Sequence, residues 1–369
     1  MDICRFDNFK DIATSFRTRI SNGDINGVPP INLACQNRHI DVVRLLIEAK
    51  ANLNRIYEDG DTPLCIACRM GYIDMVRLLI DFKADIKIAN ESGATPFYLA
   101  CSGGHVEIVK LLVDLQVDID APGTKGFTPM GIASLQGHLE VVRLLLVEYK
   151  AAVNSASEEG LTPLHMACYG GQLEIVRLLI HHEANINIAD KNGLAPNLTP
   201  LHVACYQGNL ELVQLLVEHG ADINAANIDG FTPISIVCAK GNTEIVRYLL
   251  ECGADVNKAA ANGLTPIHMA CQNGYPDIVR LLISSQAKVD ARDRHGATAL
   301  FRAAEYGFKR TVKLLIEAKA NVNAADRDRM TPLHEACENG HMEVVRLLVD
   351  AGANITARNS QGSYTINFL

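Results

Sequence analysis

Thr162-Pro163-Leu164-His165-Met166-Ala167 decides the fold, because its opening Thr-Pro pair returns down the chain at a nearly fixed stride. The pair stands again at Thr62-Pro63, Thr95-Pro96, Thr128-Pro129, Thr199-Pro200, Thr232-Pro233, Thr265-Pro266 and Thr331-Pro332, and Thr298-Ala299 falls on schedule where one proline is missing. Neighbouring proline slots lie 33 residues apart, except from Pro129 to Pro163 (34) and from Pro163 to Pro200 (37). Such a period means about ten copies of one supersecondary unit, each too small to bury its own apolar face.

Threonine supplies a capping oxygen and proline fits the first helical position, so each pair starts a helix. Eight residues past each proline slot a glycine, from Gly71 to Gly340, offers the left-handed conformation that ends a helix; only the first copy differs, with Arg38. A second apolar run follows at helical spacing, as in Ile175, Val176, Leu178, Leu179 and Ile180. Segments such as Gly220-Ala221-Asp222-Ile223-Asn224 and the turn Asn227-Ile228-Asp229-Gly230 then lead to the next pair. The expected fold is an all-α repeat solenoid of helix-turn-helix units joined by β-hairpin-like fingers.

Thr162-Pro163-Leu164-His165-Met166-Ala167 and Thr331-Pro332-Leu333-His334-Glu335-Ala336 resemble the ankyrin repeat signature, and the resemblance covers residues 27–359. It implies that the histidine ties neighbouring turns together by hydrogen bonds. That residue stands at His165, His202, His268 and His334, and is replaced by Asn32, Cys65, Tyr98, Gly131, Ser235 and Phe301 elsewhere. Residues 1–26 read as a partial N-terminal cap: Phe9, Ile12, Ala13, Phe16 and Ile20 form one helical stripe, and Asn22-Gly23-Asp24-Ile25-Asn26 resembles a finger. Residues 360–369 read as a partial C-terminal repeat or tail, with Ser363-Tyr364-Thr365-Ile366 in the next signature slot. Either this tail caps the last copy or a longer array continues beyond it.

No uninterrupted apolar run approaches the roughly 18–20 residues of a membrane helix, so no membrane insertion is expected. Asp2, Arg5, Asp7, Lys10 and Asp11 interrupt any signal peptide. Of eleven cysteines, Cys35, Cys68, Cys101, Cys168, Cys205, Cys238, Cys271 and Cys337 are one position copied eight times. Such positions on stacked helices lie about 8–10 Å apart, too far for a disulfide, and free thiols suit a reducing compartment. A cytoplasmic or nuclear protein, monomeric, is the expectation.

Catalysis needs different groups converging, whereas an array presents one group at intervals. Cys65-Ile66-Ala67-Cys68 lacks a second cysteine pair at zinc-finger distance, and Cys68 belongs to the repeated row. His181 and His182 are adjacent on a helix and point about 100° apart. His334-Glu335 begins like a zinc-protease motif, but Glu338 stands where the second histidine belongs. No phosphate loop, nucleophile elbow or dinucleotide fingerprint occurs. No enzyme, metal or cofactor is expected.

The resemblance implies a partner surface on the concave face, built from the residues before Thr-Pro and the pair before each glycine. The middle copies place Phe127, Leu135, Leu161, Tyr169, Leu198, Tyr206 and Phe231 there, an apolar stripe of the kind that marks binding. The four-residue insertion within Asp190–Leu198 lies beside it. Net charge is −8, which speaks against a nucleic-acid partner, but from Lys288 to Arg329 ten basic residues meet six acids. Arg294, Arg302, Lys309, Arg310 and Lys313 are candidates for an acidic partner. The expected function is a non-enzymatic protein-protein interaction scaffold; the alternative is the targeting module of a larger effector or enzyme assembly. The copy at Thr298-Ala299 loses its proline, its histidine and the acid replaced by Arg310, so its junction is expected to be weaker than the one at the insertion.

Overall fold

The computed structural model describes residues 28–56, 60–191 and 197–362. The expected N-terminal cap, residues 192–196 of the insertion and the segment from Ser363 to Ile366 lie outside them. The chain divides into two compact units, Met1–Asn185 and Ile186–Leu369.

The described residues hold twenty α-helices in ten pairs, and no β-strand. Copies one to five, in the first unit, pair Pro30–Gln36 with Ile40–Glu48, Pro63–Met70 with Ile73–Asp81, Pro96–Ser102 with Val106–Asp114, Pro129–Gln136 with Leu139–Arg143, and Pro163–Tyr169 with Leu173–His181. Copies six to ten, in the second, pair Pro200–Gln207 with Leu210–Glu218, Pro233–Lys240 with Thr243–Glu251, Pro266–Gln272 with Pro276–Ser284, Ala299–Glu305 with Lys309–Glu317, and Pro332–Glu338 with Met342–Asp350.

Each first helix is only seven or eight residues long and needs both a defined start and packing to persist. The start is the threonine: Thr62 Oγ1 accepts from Cys65 N at 3.1 Å and Thr128 Oγ1 from Gly131 N at 3.0 Å. The packing is the repeated cysteine row, of which all eight members are buried. Burial favours the neutral thiol and pushes Cys35 up to about 12.

The helix-ending glycines serve two purposes. Gly71 has φ +78°, as the turn demands, and a β-carbon there would lie 2.4 Å from the ring of His105 in the next copy. The same ring reaches back, His105 Nε2 donating to Arg69 O at 2.9 Å. His138 donates likewise to Ser102 O at 2.8 Å, and His341 to Glu305 O at 3.0 Å. Sequence reasoning did not identify these ties. Arg38, without glycine, takes φ +56° in the first copy.

The signature histidines supply the other tie between copies. His202 Nδ1 accepts from Thr199 N at 3.2 Å, closing a capping box, while Nε2 donates to Phe231 O in the next finger at 3.2 Å. His268 does the same toward Thr265 N and Ala297 O. Asn32, in the first copy, keeps half of this role by donating to Asp61 O at 2.8 Å.

The fingers are hairpin-like in that backbone bonds close each turn, as from Asn227 N to Phe231 O at 3.0 Å and from Gly230 N to Asn227 O at 2.9 Å. A side-chain ladder joins successive fingers: Asn224 Oδ1 accepts from Asp255 N, Asn257 Oδ1 from Lys288 N and Asp290 Oδ1 from Asn321 N, each at 2.8–2.9 Å.

Both irregular strides have a local cause. The extra residue between Pro129 and Pro163 is absorbed by a π-turn, Leu144–Glu148, that continues the second helix of copy four. The four extra residues before Pro200 sit inside a finger whose base still closes in the usual way, from Asp190 N to Leu198 O at 3.0 Å.

The copy at Thr298 is better supported than its sequence suggests. Thr298 Oγ1 still accepts from Phe301 N at 3.3 Å, and Phe301 fills the histidine slot as a buried ring. Lys309 pairs with Glu343 of the next copy.

Burial lowers His202 from 6.5 to about 4. The unfolded chain therefore takes up a proton near pH 6.5 that the folded chain refuses, and stability present above 6.5 is lost as pH falls toward 4, on the order of 3 kcal/mol if the whole shift is expressed. The thermal midpoints of the wild type and His202→Asn should converge between pH 7 and pH 4.5. A constant gap would show that His202 protonates freely in the folded state.

Candidate functional site

The first helices end in short, rigid turns, and the residues on those turns are presented by a scaffold fixed on both sides. In the first unit, Gly170 shows how closely: a β-carbon there would lie 2.2 Å from the Leu135 carbonyl of the preceding copy. Beside it Tyr169 is 36% exposed. Phe127, Leu135 and Leu161 in the same unit are half-buried. Leu161 is held at the finger base, its amide donating to Ser157 Oγ at 3.1 Å and its carbonyl accepting from Ser157 N at 3.0 Å.

In the second unit Tyr206 is 55% exposed, and the Lys240 ammonium of the next copy stands 3.8 Å above its ring. Leu198 and Phe231 are half-buried at finger bases. Phe231 is fixed through its backbone, by Asn227 Oδ1 on its amide at 2.8 Å and His202 on its carbonyl. Of the seven residues read from the sequence, the two tyrosines are thus the exposed ones. A third, Tyr306, was overlooked: it is 45% exposed directly ahead of Gly307, stacked on Phe308 with ring centres 6.1 Å apart. Its position in the pair before the glycine was the available signal.

The basic candidates fare differently. Arg302 replaces an apolar residue of the first helix and is turned to its own chain, donating to Asp293 Oδ2 at 2.6 Å and Glu305 Oε2 at 3.0 Å. Lys309 is taken by Glu343, and Lys313 lies 3.9 Å from Glu317. Arg294 and Arg310 are exposed. Burial disfavours the Asp293 carboxylate, but Arg302 and the amides of Ala297 and His295 outweigh it and hold this acid below its ordinary value.

One copy further on, Glu335 occupies the slot of Arg302 and lacks such a partner. Burial, then the charges of Glu305, Glu338 and Asp326, push its carboxyl up to about 7, with Arg302 opposing. The first-helix face of copies nine and ten is therefore acidic around one committed arginine.

Among the described residues no group of three or more His, Cys, Asp or Glu is placed to hold a metal ion. Cys65 and Cys68 are both buried, and the rings of His181 and His182 meet edge to face at 5.3 Å. A cavity of about 310 Å³ in the first unit is lined by Phe97, Ile86, Val117 and Ala121, with Lys87 and Asp118 at its charged edge. No helix among the described residues is long and apolar enough to cross a membrane.

The family model for ankyrin repeats in threes matches residues 1–90, 82–157, 146–227, 201–293 and 286–359. The chain belongs to the ankyrin repeat family, whose members fold as all-α repeat arrays and serve as protein-protein interaction modules. No curated protein matches it.

Two substitutions test the charge network. Arg302→Met should cost about 3 kcal/mol, because it leaves Asp293 buried beside apolar surface, and adding Asp293→Asn should recover most of that loss. Asparagine already fills this slot as Asn227. Equal stability of the single and double variants in denaturant titrations would show that the pair is not coupled.

Glu335 contributes in the opposite sense to an ordinary paired acid. The folded chain keeps its proton up to about pH 7 whereas the unfolded chain releases it near 4.5, so the stability it contributes is full below 4.5 and is lost as pH rises through 7. Glu335→Gln should raise the melting temperature at pH 8 and leave it nearly unchanged at pH 4.5. No gain at pH 8 would mean that Glu335 ionises without cost.

Proposed function

We propose that the protein is a non-enzymatic scaffold that holds a protein partner on its concave face, the one formed by finger bases and first-helix ends. The observation that carries this reading is Tyr206. It is a large aromatic left 55% exposed on a helix whose neighbouring residues, from Leu201 to Cys205, are buried. Tyrosine is enriched among interface hot spots because it offers a rigid apolar ring with a polar end. Tyr169 occupies the equivalent position in the first unit; Phe127, Leu135 and Leu161 of that unit, and Leu198 and Phe231 of the second, add half-buried apolar surface.

An acidic stretch of that partner would meet Arg294 and Arg310 before Arg302, Lys309 or Lys313, which already pair with carboxylates of the chain. The eight buried thiols support a reducing, intracellular setting.

Affinity capture from the native cell identifies the partner, and its affinity for Tyr169→Ala and Tyr206→Ala tests the surface. Each substitution should weaken binding by about 2 kcal/mol or more, roughly thirtyfold, with little change in melting temperature. Unaltered affinity in both variants would place the contact elsewhere.

A further inference from the structure

The third copy breaks the repeat at positions that meet around one cavity. Alanine stands two residues past the second helix's last cap in nine copies, from Ala51 to Ala353, and Val117 replaces it in the third. Val117 is half-buried, whereas Ala84 and Ala151 in the flanking copies are buried. With Ile86, Phe97 and Ala121 it lines the cavity of about 310 Å³, which falls in the size range of ligand and anchor pockets. The residue that caps the second helix is alanine, serine, cysteine or histidine in seven copies, but Phe82, Leu115 and Tyr149 in copies two to four. Phe82 is 43% and Leu115 40% exposed, and Tyr149 is half-buried. Since seven copies take up the same fold with small or polar groups there, the scaffold does not require this apolar row.

Acids run beside the row. Asp81, Asp114 and Glu148 directly precede its three members and are exposed, and among the described residues the ion pairs of the first unit use Asp61, Asp74, Glu140 and Glu174 instead. Lys83 and Lys150 follow Phe82 and Tyr149, but Gln116 follows Leu115, so the middle of the row lacks that neighbouring cation. Burial, with the charges of Asp114 and Glu148, raises the Tyr149 phenol, so acids of two copies bear on one ring.

We propose that the cavity and the row from Phe82 to Tyr149 form a second docking surface, for a basic amphipathic helix of a protein partner that inserts one apolar side chain beside Val117. This surface uses second-helix ends and the first residues of fingers, whereas the tyrosine surface proposed above uses first-helix ends. Equivalent positions on stacked helices lie about 8–10 Å apart, and residues seven apart on one helix lie about 10.5 Å apart. Apolar residues at every seventh position of the partner therefore meet successive members of the row, and lysines or arginines beside them pair with Asp81, Asp114 and Glu148. Charge disfavours other occupants: a second copy of this chain brings a net charge of −8, and nucleic acid or an anionic membrane is repelled by the same acids.

The test uses the full chain and a peptide probe of about fifteen residues, with leucine at every seventh position and lysines flanking that stripe; a scrambled peptide of the same composition is the control. The designed peptide should bind, more weakly as salt rises, and should slow amide exchange across residues 82–87 and 115–121. Leu115→Ser with Val117→Ala installs residues that other copies carry in these slots, so the melting temperature should hold while affinity falls at least tenfold. Asp114→Asn should weaken binding severalfold. Tyr169→Ala with Tyr206→Ala should leave it unchanged, which separates this surface from the concave one. Equal affinity for the scrambled peptide, equal affinity of the Leu115/Val117 variant, or protection that appears elsewhere overturns the proposal. So does a dimer in light scattering that the Leu115/Val117 variant abolishes, which would make a second copy the occupant.

Discussion

Within each unit, copies are held by their immediate neighbours, and the close approach at the end of each first helix sets the terms for the rest. A glycine ends the helix, the next copy lays a side chain over that glycine, and the same side chain donates to the carbonyl left free by the helix end. His105 on Gly71 and Arg69, and His341 on Gly307 and Glu305, follow this plan. In the second unit Asn242 keeps the hydrogen bond alone, to Gly208 O, while Tyr275 and Phe308 keep the ring contact over Gly241 and Gly274. The slot therefore admits either a hydrogen bond or a ring, but no side chain on the glycine.

The signature histidine secures the other end of the same helix. In copies six and eight it bonds its own cap threonine and the next finger, so that one buried imidazole fixes a helix start and an inter-copy distance together. Copies without histidine do not lose the helix, because the threonine cap is independent of it; Ser235 in copy seven pairs with Thr232 Oγ1 at 3.0 Å. The helix start and the tie to the next copy are separate functions, and substitution at this slot mostly removes the second.

Much of this was legible in the sequence because it depends on local geometry. The Thr-Pro starts, the left-handed glycines and the buried cysteine row follow from spacing and from properties of single residues. What escaped depends on side chains of different elements meeting in space. Arg302 read as an available cation, since nothing in its helix shows that Asp293, nine residues earlier in the finger, turns back to meet it. The reading of the Thr298 copy as the weak one failed to count that bridge, or the one from Lys309 to Glu343, for the same reason. Among the candidate site residues, sequence position separated scaffold from variable slots, but only the packing shows that Tyr169 and Tyr206 stand out while Leu161, Leu198 and Phe231 are half-buried.

The exposed tyrosines and the acidic face of copies nine and ten follow from the same division of labour. A first helix buries the alanine and cysteine slots in every copy, whatever residue fills them, which leaves the middle position and the last turn able to change. At the middle position Met269 gives way to Arg302 and then Glu335, and on the last turn Tyr206, Gln272, Glu305 and Glu338 differ in size and charge. The arginine at the middle position is tolerated because the finger supplies a buried carboxylate. Glu335 has no such counterpart, and its raised pKa is the result. Variation in chemistry is thus cheap where a neighbouring copy can answer it, and shows as exposure or strained ionisation where none does.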